Sequence, residues 1–284
     1  MSDIAQKTSP DREKMFNVFK YSIYFLLFLQ TFYWFYEDYN AAIHLYPDGV
    51  SWTNITTVFA QATDTIAWVF LLFMFELETS VLSDEKLNQG WKWVVNGIAA
   101  VCYFFIVLAF WGYILKALFV FGFEPSTFTD ACSIIGQYGS YVLDLDDYAN
   151  LTLDTCGSVQ GTLYVNEAAR FITTTEMHDH MIMMAVTEVV NAGAWILIVL
   201  LLWFDAFLLL RGHEHGRFYK INIVAKFFLY AVLLVACIYW GIDGDFIDFW
   251  DAFLWLLAFF FIELNVFKWS EEIEEARDGE EALA

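Results

Sequence analysis

Residues 64–78 read DTIAWVFLLFMFELE, and the pattern returns at 251–265 as DAFLWLLAFFFIELN. Aligned without a gap, the two stretches share Asp64/Asp251, Trp68/Trp255, Phe73/Phe260, Glu76/Glu263 and Leu77/Leu264. A fainter third copy, NAGAWILIVLLLWFD at 191–205, keeps the tryptophan at Trp195 and ends on Asp205, in register with Glu78. Internal repetition of this kind decides an architecture before any local signal does. Here the repeating unit is an apolar helix with an acid at one end and carboxylates near the other.

Working outward, apolar stretches approach the ~20 residues needed to cross about 30 Å of hydrocarbon. They place membrane spans at about residues 16–36, 63–82, 91–119, 181–210, 221–242 and 246–269. The chain is 59% hydrophobic and 20% aromatic, with three prolines in 284 residues and a mean hydropathy of +0.51. A soluble domain of this size carries more charge and shorter apolar runs. The first fourteen residues are too polar for a cleavable signal, and the apolar stretch after them is long enough to stay in the membrane.

The odd-numbered spans correspond as well: each climbs to a tryptophan beside another aromatic, at Tyr33-Trp34, Phe110-Trp111 and Tyr239-Trp240. The expected fold is therefore an all-α polytopic membrane protein whose six transmembrane helices form three related hairpins in parallel orientation. Its expected divisions are a segment 1–15, helices one to three in 16–119, a loop region 120–180, helices four to six in 181–269, and an acidic tail 270–284.

Charge distribution orients the bundle. With six spans, twelve of the fourteen Lys and Arg fall on the side of the termini or at its helix ends, leaving Arg170 and the near-terminal Lys116 opposite. Positive residues mark the cytoplasmic side, so both termini are expected inside a plasma (bacterial inner) membrane. The net charge of −21 excludes nucleic-acid binding, which needs a basic surface. Expected partners are the lipid bilayer and either copies of the same chain or other subunits of a membrane complex. On this topology Glu37 and Asp38 follow the first span into water, and the 120–180 loop faces the oxidising side. Cys132 and Cys156 there are expected to form a disulfide; Cys102 and Cys237, inside spans, read as buried apolar cysteine.

Ionisable groups inside a span are costly and so are functional candidates. Glu76 lies about 12 Å below Trp68 along a helix axis and about 80° around it, and Glu263 stands in the same relation to Trp255. Asp205, Lys20 and Lys226 join them in one polar layer, with Asp64 and Asp251 at the opposite ends of the repeats. Two readings of this layer compete: structural ion pairs with Lys20 and Lys226 within their hairpins, or a protonatable site in a conduction path. A metal ion is a further candidate at EMHDHMIMM, 176–184, through His178, His180, Glu176 and, one face along, Glu188. His213 and His215 form a weaker pair, and the DLDD run at 144–147 lacks EF-hand spacing. No phosphate loop, HExxH or nucleophile elbow occurs, so catalysis is not the primary expectation and no cofactor is expected. The leading expectation is a channel or transporter for a small cation, protons included. Its rivals are an accessory subunit of a membrane complex and a metal- or haem-dependent oxidoreductase built on His178 and His180.

Overall fold

A computed structural model describes residues 10–77, 89–210 and 217–281. Glu78, the turn at 83–86, and His213 with His215 lie outside them. The fold is mostly helical, 74%, and the chain divides into two compact units. One takes residues up to Gln30 together with those from Leu197 onward; the other is Thr31–Ile196. Among the described residues three helical stretches are long and apolar enough to cross a membrane: Trp93–Phe121, Thr175–Asp205 and Arg217–Asp243.

Seven helices are described: α1 Pro10–Leu45, α2 Ile55–Val58, α3 Ala60–Glu76, α4 Gln89–Phe121, α5 Thr175–Leu210, α6 Arg217–Asp243 and α7 Phe246–Glu281. α1 runs nine residues past the expected end of the first span. Glu37 and Asp38 tolerate helix well, and the first strong stop is Pro47, which biases the residue before it away from helical geometry. At the other end α7 carries the acidic tail in helix to Glu281.

In the first unit, α6 and α7 form a hairpin whose turn is written in three residues. Gly244 takes φ +104°, the left-handed conformation that ends helices and that glycine adopts without strain. The Asp245 carboxylate then accepts from the backbone N–H groups of Ile247 and Asp248 at 3.2 and 3.1 Å, capping the exposed donors of α7. Phe261 of α7 meets Phe16 and Phe19 of α1 with ring planes near perpendicular, at centre distances of 5.4 and 5.9 Å. Much of α6 remains uncovered, with Phe227 75% and Ile242 82% exposed.

In the second unit, α3 packs against α4. The buried side of α4 is the stripe Val95, Cys102, Ile106, Ala109, Tyr113, Ala117 and Val120, at the spacing of one helical face. The two helices approach closely at Gly112, where a Cβ would lie 2.7 Å from that of Ala60.

Between α4 and α5 the chain departs from the all-α expectation and builds a five-stranded sheet in the order β1-β4-β5-β2-β3. The strands are β1 Glu124–Pro125, β2 Ser140–Val142, β3 Tyr148–Asn150, β4 Leu163–Asn166 and β5 Phe171–Thr174. Neighbours are antiparallel except β2 and β5, which pair in parallel. Strands this short leave no periodic signal in sequence. Their core gathers Ile134, Tyr138, Tyr141, Leu151, Val159, Leu163, Val165 and Ile172, and is stapled by the Cys132–Cys156 disulfide. Asn166 of β4 donates to the Phe119 carbonyl at 3.1 Å, beside the bond that this carbonyl takes from the Gly122 N–H at the end of α4. Thr174 accepts from the Met177 N–H at 3.2 Å, so β5 leads directly into α5.

Candidate functional site

Each unit holds one lysine set between two carboxylates. In the first unit, Asn222, Lys226 and Tyr230 follow one another at four-residue spacing and so share a face of α6. The Lys226 ammonium lies 2.7 Å from Asp205 Oδ2 of α5 and 3.1 and 3.2 Å from the two oxygens of Glu263 on α7. Tyr230 donates its hydroxyl to Glu263 Oε1 at 3.1 Å. Asn222 donates to the Leu201 carbonyl at 3.0 Å and to Asp205 Oδ1. The Lys226 and Asp205 side chains are 12% and 10% exposed, that of Glu263 28%. One ammonium thus faces two carboxylates away from bulk water, where unbalanced charge is expensive. The triad holds one more carboxylate than it has ammonium groups.

The same packing answers part of the sequence reading. Asp205, Lys226 and Glu263 come together. Lys20 is buried in the first unit and Glu76 in the second; the Lys20 ammonium lies 4.9 Å from the centre of the Tyr21 ring. Asp251 is half-buried in the first third of α7. In the second unit, Asp64 accepts from the Tyr113 hydroxyl at 3.3 Å.

The second cluster centres on Lys116, near the end of α4. Its ammonium reaches Asp146 Oδ2 at 2.9 Å and Glu188 Oε1 of α5 at 3.0 Å, with the Tyr113 ring centre 5.7 Å away. Asp146 is carried by the turn between β2 and β3. Backbone bonds from Leu143 and Asp144 to the Asp147 carbonyl close that turn, and the buried Tyr148 hydroxyl donates to the Leu145 carbonyl at 2.8 Å. Two acids of α1 stand nearby. Asp38 accepts from the Ala62 N–H at 2.9 Å, in the first turn of α3 where donors lack partners within the helix, and Glu37 accepts from the Tyr33 hydroxyl at 3.1 Å. Burial, reinforced by the charge of Asp146, pushes the Glu37 carboxyl up to about 8 against the pull of Tyr33 and Lys116. Burial does the same to Asp38, also to about 8, against the Ala62 N–H and Lys116, with Asp146 and Glu188 adding repulsion.

The sequence reading places Glu37 and Asp38 in water; both are half-buried, since α1 continues past them and sets Asp38 against the start of α3. The sequence reading also passed over Lys116 and Asp146 as functional residues. The available signal was Lys116 itself, a lone base in the apolar stretch Trp93–Phe121, which requires a partner.

The residues proposed for a metal have separate partners. His178 stacks on Tyr164 at 4.2 Å, with its Nδ1 3.6 Å from Asp179. His180 Nε2 lies 3.2 Å from Asp144 Oδ1, Glu188 binds Lys116, and Glu176 is exposed. Among the described residues no group of three or more His, Cys, Asp or Glu is arranged to hold a metal ion. Of the methionines in the same stretch that could serve as soft ligands, Met181 and Met184 are buried at 0% and 2% exposure as apolar filling and Met183 is 53% exposed.

Compared with protein-family models, with characterised proteins and with solved structures, the chain finds no match.

Proposed function

We propose that this chain is an integral membrane protein that conducts or transports a small cation, protons foremost, through sites made of lysine-bridged carboxylates. The observation that carries the reading is Lys226 between Asp205 and Glu263. An intramembrane charge of this kind is maintained against a cost of at least ~2.5 kcal/mol per residue, and such groups mark ion and proton pathways. A triad with one more anion than cation has room for a proton or a small cation and holds neither tightly, since the lysine competes for both carboxylates.

The finer topology belongs to the same proposal. α1, α3 and α7 join the three long apolar helices as spans, giving six crossings, both termini in the cytoplasm of a plasma (bacterial inner) membrane, and three related hairpins. The exposed aromatics of α1, among them Phe25, Phe32 and Tyr36, support a lipid-facing role for that helix. The sheet-bearing segment then lies outside, where its disulfide persists.

Flux measured in proteoliposomes under an imposed proton or monovalent-cation gradient tests the proposal. Wild-type protein should carry the cation, and Glu263→Gln should fold and change the rate or its pH dependence. No flux above empty liposomes, or wild-type flux in Glu76→Gln, Glu263→Gln and the double variant, would sink it and leave an accessory subunit as the better description.

A further inference from the structure

The Lys226 triad holds more oxygen than its ion pairs use. Asp205 and Glu263 bring four carboxylate oxygens to one ammonium, and each of the four faces a donor. Lys226 meets Asp205 Oδ2 and both oxygens of Glu263, and Asn222 meets Asp205 Oδ1. The Tyr230 hydroxyl donates to Glu263 Oε1 and keeps the lone pairs of its own oxygen. The Asn222 nitrogen donates to the Leu201 carbonyl as well as to Asp205, which fixes the amide against the triad. Its oxygen accepts no hydrogen bond from the described residues, although the residue is only 2% exposed.

A buried acceptor left unmet is destabilising, and folded proteins ordinarily satisfy it, so the Asn222 oxygen points to a ligand. Charge and donor chemistry say which kind. One ammonium against two carboxylates leaves one negative charge in excess, which a monovalent cation balances and a divalent ion would overshoot. A proton takes a single oxygen, and at all four carboxylate positions it would meet a donor already in place. A metal ion draws at once on the spare lone pairs of several oxygens, charged and neutral. Carboxylate, amide and hydroxyl oxygens without imidazole or thiolate suit a hard ion. The set therefore stands apart from groups of three or more His, Cys, Asp or Glu, of which the described residues hold none arranged for a metal.

We infer that Asp205, Glu263, the Asn222 amide oxygen and the Tyr230 hydroxyl form a binding site for one small monovalent metal cation of the sodium class, with Lys226 as its tethered competitor. The inference rests on the transport reading above and narrows the cargo at this triad. Lys226 is carried on a flexible four-carbon stem, so it can keep one carboxylate and cede the other when the ion binds. Its charge keeps the site exchangeable, because ion and ammonium compete for the same oxygens. Glu263, the most exposed member at 28%, is the side on which the ion enters.

Thermal unfolding of the full-length protein in one detergent reads the site, with sodium chloride titrated against N-methylglucamine chloride at equal ionic strength. The wild-type midpoint should rise saturably with sodium, by about 3–6 °C at about ten times the half-saturating concentration. It should stay level with the organic cation, which is too large to enter. Glu263→Gln leaves one carboxylate to one ammonium, so it should fold and lose the sodium response. Asn222→Ala removes the amide oxygen and should raise the half-saturating concentration about tenfold, which keeps the site testable if Glu263→Gln does not fold. Lys226→Met, without the competitor, should gain more from sodium than wild type does. A wild-type midpoint that responds alike to both salts, or a sodium response unchanged in Glu263→Gln and Asn222→Ala, would overturn the inference. Unfolding and flux separate the two proposals: a sodium response without flux retains the site and removes transport, and flux without the sodium response does the reverse.

Discussion

The Lys226 ammonium lies 2.7 Å from Asp205 and 3.1 Å from the nearer oxygen of Glu263, so the lysine is shared and its removal strands two charges while removal of either acid strands none. Breaking a buried pair by deleting one partner costs about 3–5 kcal/mol when a charge is left without compensation. Lys226→Met should therefore be the most destabilising single change in the triad, and adding Asp205→Asn and Glu263→Gln to it should restore most of the loss. Glu263→Gln alone, the most exposed position of the three, should cost about 1 kcal/mol or less. Thermal unfolding of the four proteins in one detergent measures this. A Lys226→Met protein as stable as wild type would refute it.

At Gly112 two opposed terms can be weighed. Alanine is a better helix former than glycine by ~1 kcal/mol, yet its Cβ would come 2.7 Å from Ala60 Cβ, a separation at which backbone or helix must shift. Overpacking of this kind costs roughly 1–3 kcal/mol, so Gly112→Ala should destabilise and Gly112→Leu should prevent folding. Ala60→Gly, which removes the opposing methyl, should rescue Gly112→Ala. Failure of that rescue in thermal unfolding would mean that α3 and α4 do not meet at this point.

How much of this was legible in the sequence varies with the range of the interaction. The repeated pattern pointed to Glu263 and, in its third copy, to Asp205, and Lys226 was visible because intramembrane charge stands out against an apolar background. The cysteine pair was legible for a similar reason, being the two cysteines outside apolar runs. The sheet was not, since strands of two to four residues show no period and their pairing, such as Ser140 with Phe171, spans some thirty residues. Nor was the Lys116 cluster. Its lysine was visible, but Asp146, Glu188 and Asp38 converge on it from a turn and two helices, and only packing establishes that. Glu37 and Asp38 read as solvated because hydropathy marks the end of an apolar run and not the end of the helix.

The Cys132–Cys156 bridge closes a loop of 24 residues in sequence separation around a sheet whose core is small. A loop of that length restrains the unfolded chain by roughly 3 kcal/mol. Replacing both cysteines by serine should leave the helices formed but make the sheet segment markedly more open. Hydrogen exchange should show lost protection in β2, β4 and β5, with little change in α6. Intact mass with and without reductant should differ by about two hydrogens before any variant is made, as formation of one disulfide requires. Four free thiols in the purified chain, in place of the two expected from Cys102 and Cys237, would contradict the bridge.

The last expectation concerns pH. Glu37 and Asp38 rise from ordinary values of 4.5 and 3.8 to about 8 in the folded chain, burial being the main cause. Between those limits the folded state holds protons that the unfolded state has released, and stability then falls as pH rises. The contribution is fully present below about pH 4, declines through the neutral range, and is gone once pH passes about 8. Glu37→Gln/Asp38→Asn removes the titration without removing the acceptor oxygens. The double variant should therefore gain stability relative to wild type as pH goes from 5 to 8, by at least about 1 kcal/mol, the equivalent of somewhat less than one pKa unit. Lys116→Met should act in the opposite sense on the wild-type background: the loss of its charge raises both carboxyls further and steepens the decline. Unfolding midpoints across that pH range measure both effects, and parallel curves for wild type and the double variant would show that Glu37 and Asp38 ionise as freely in the folded chain as in water.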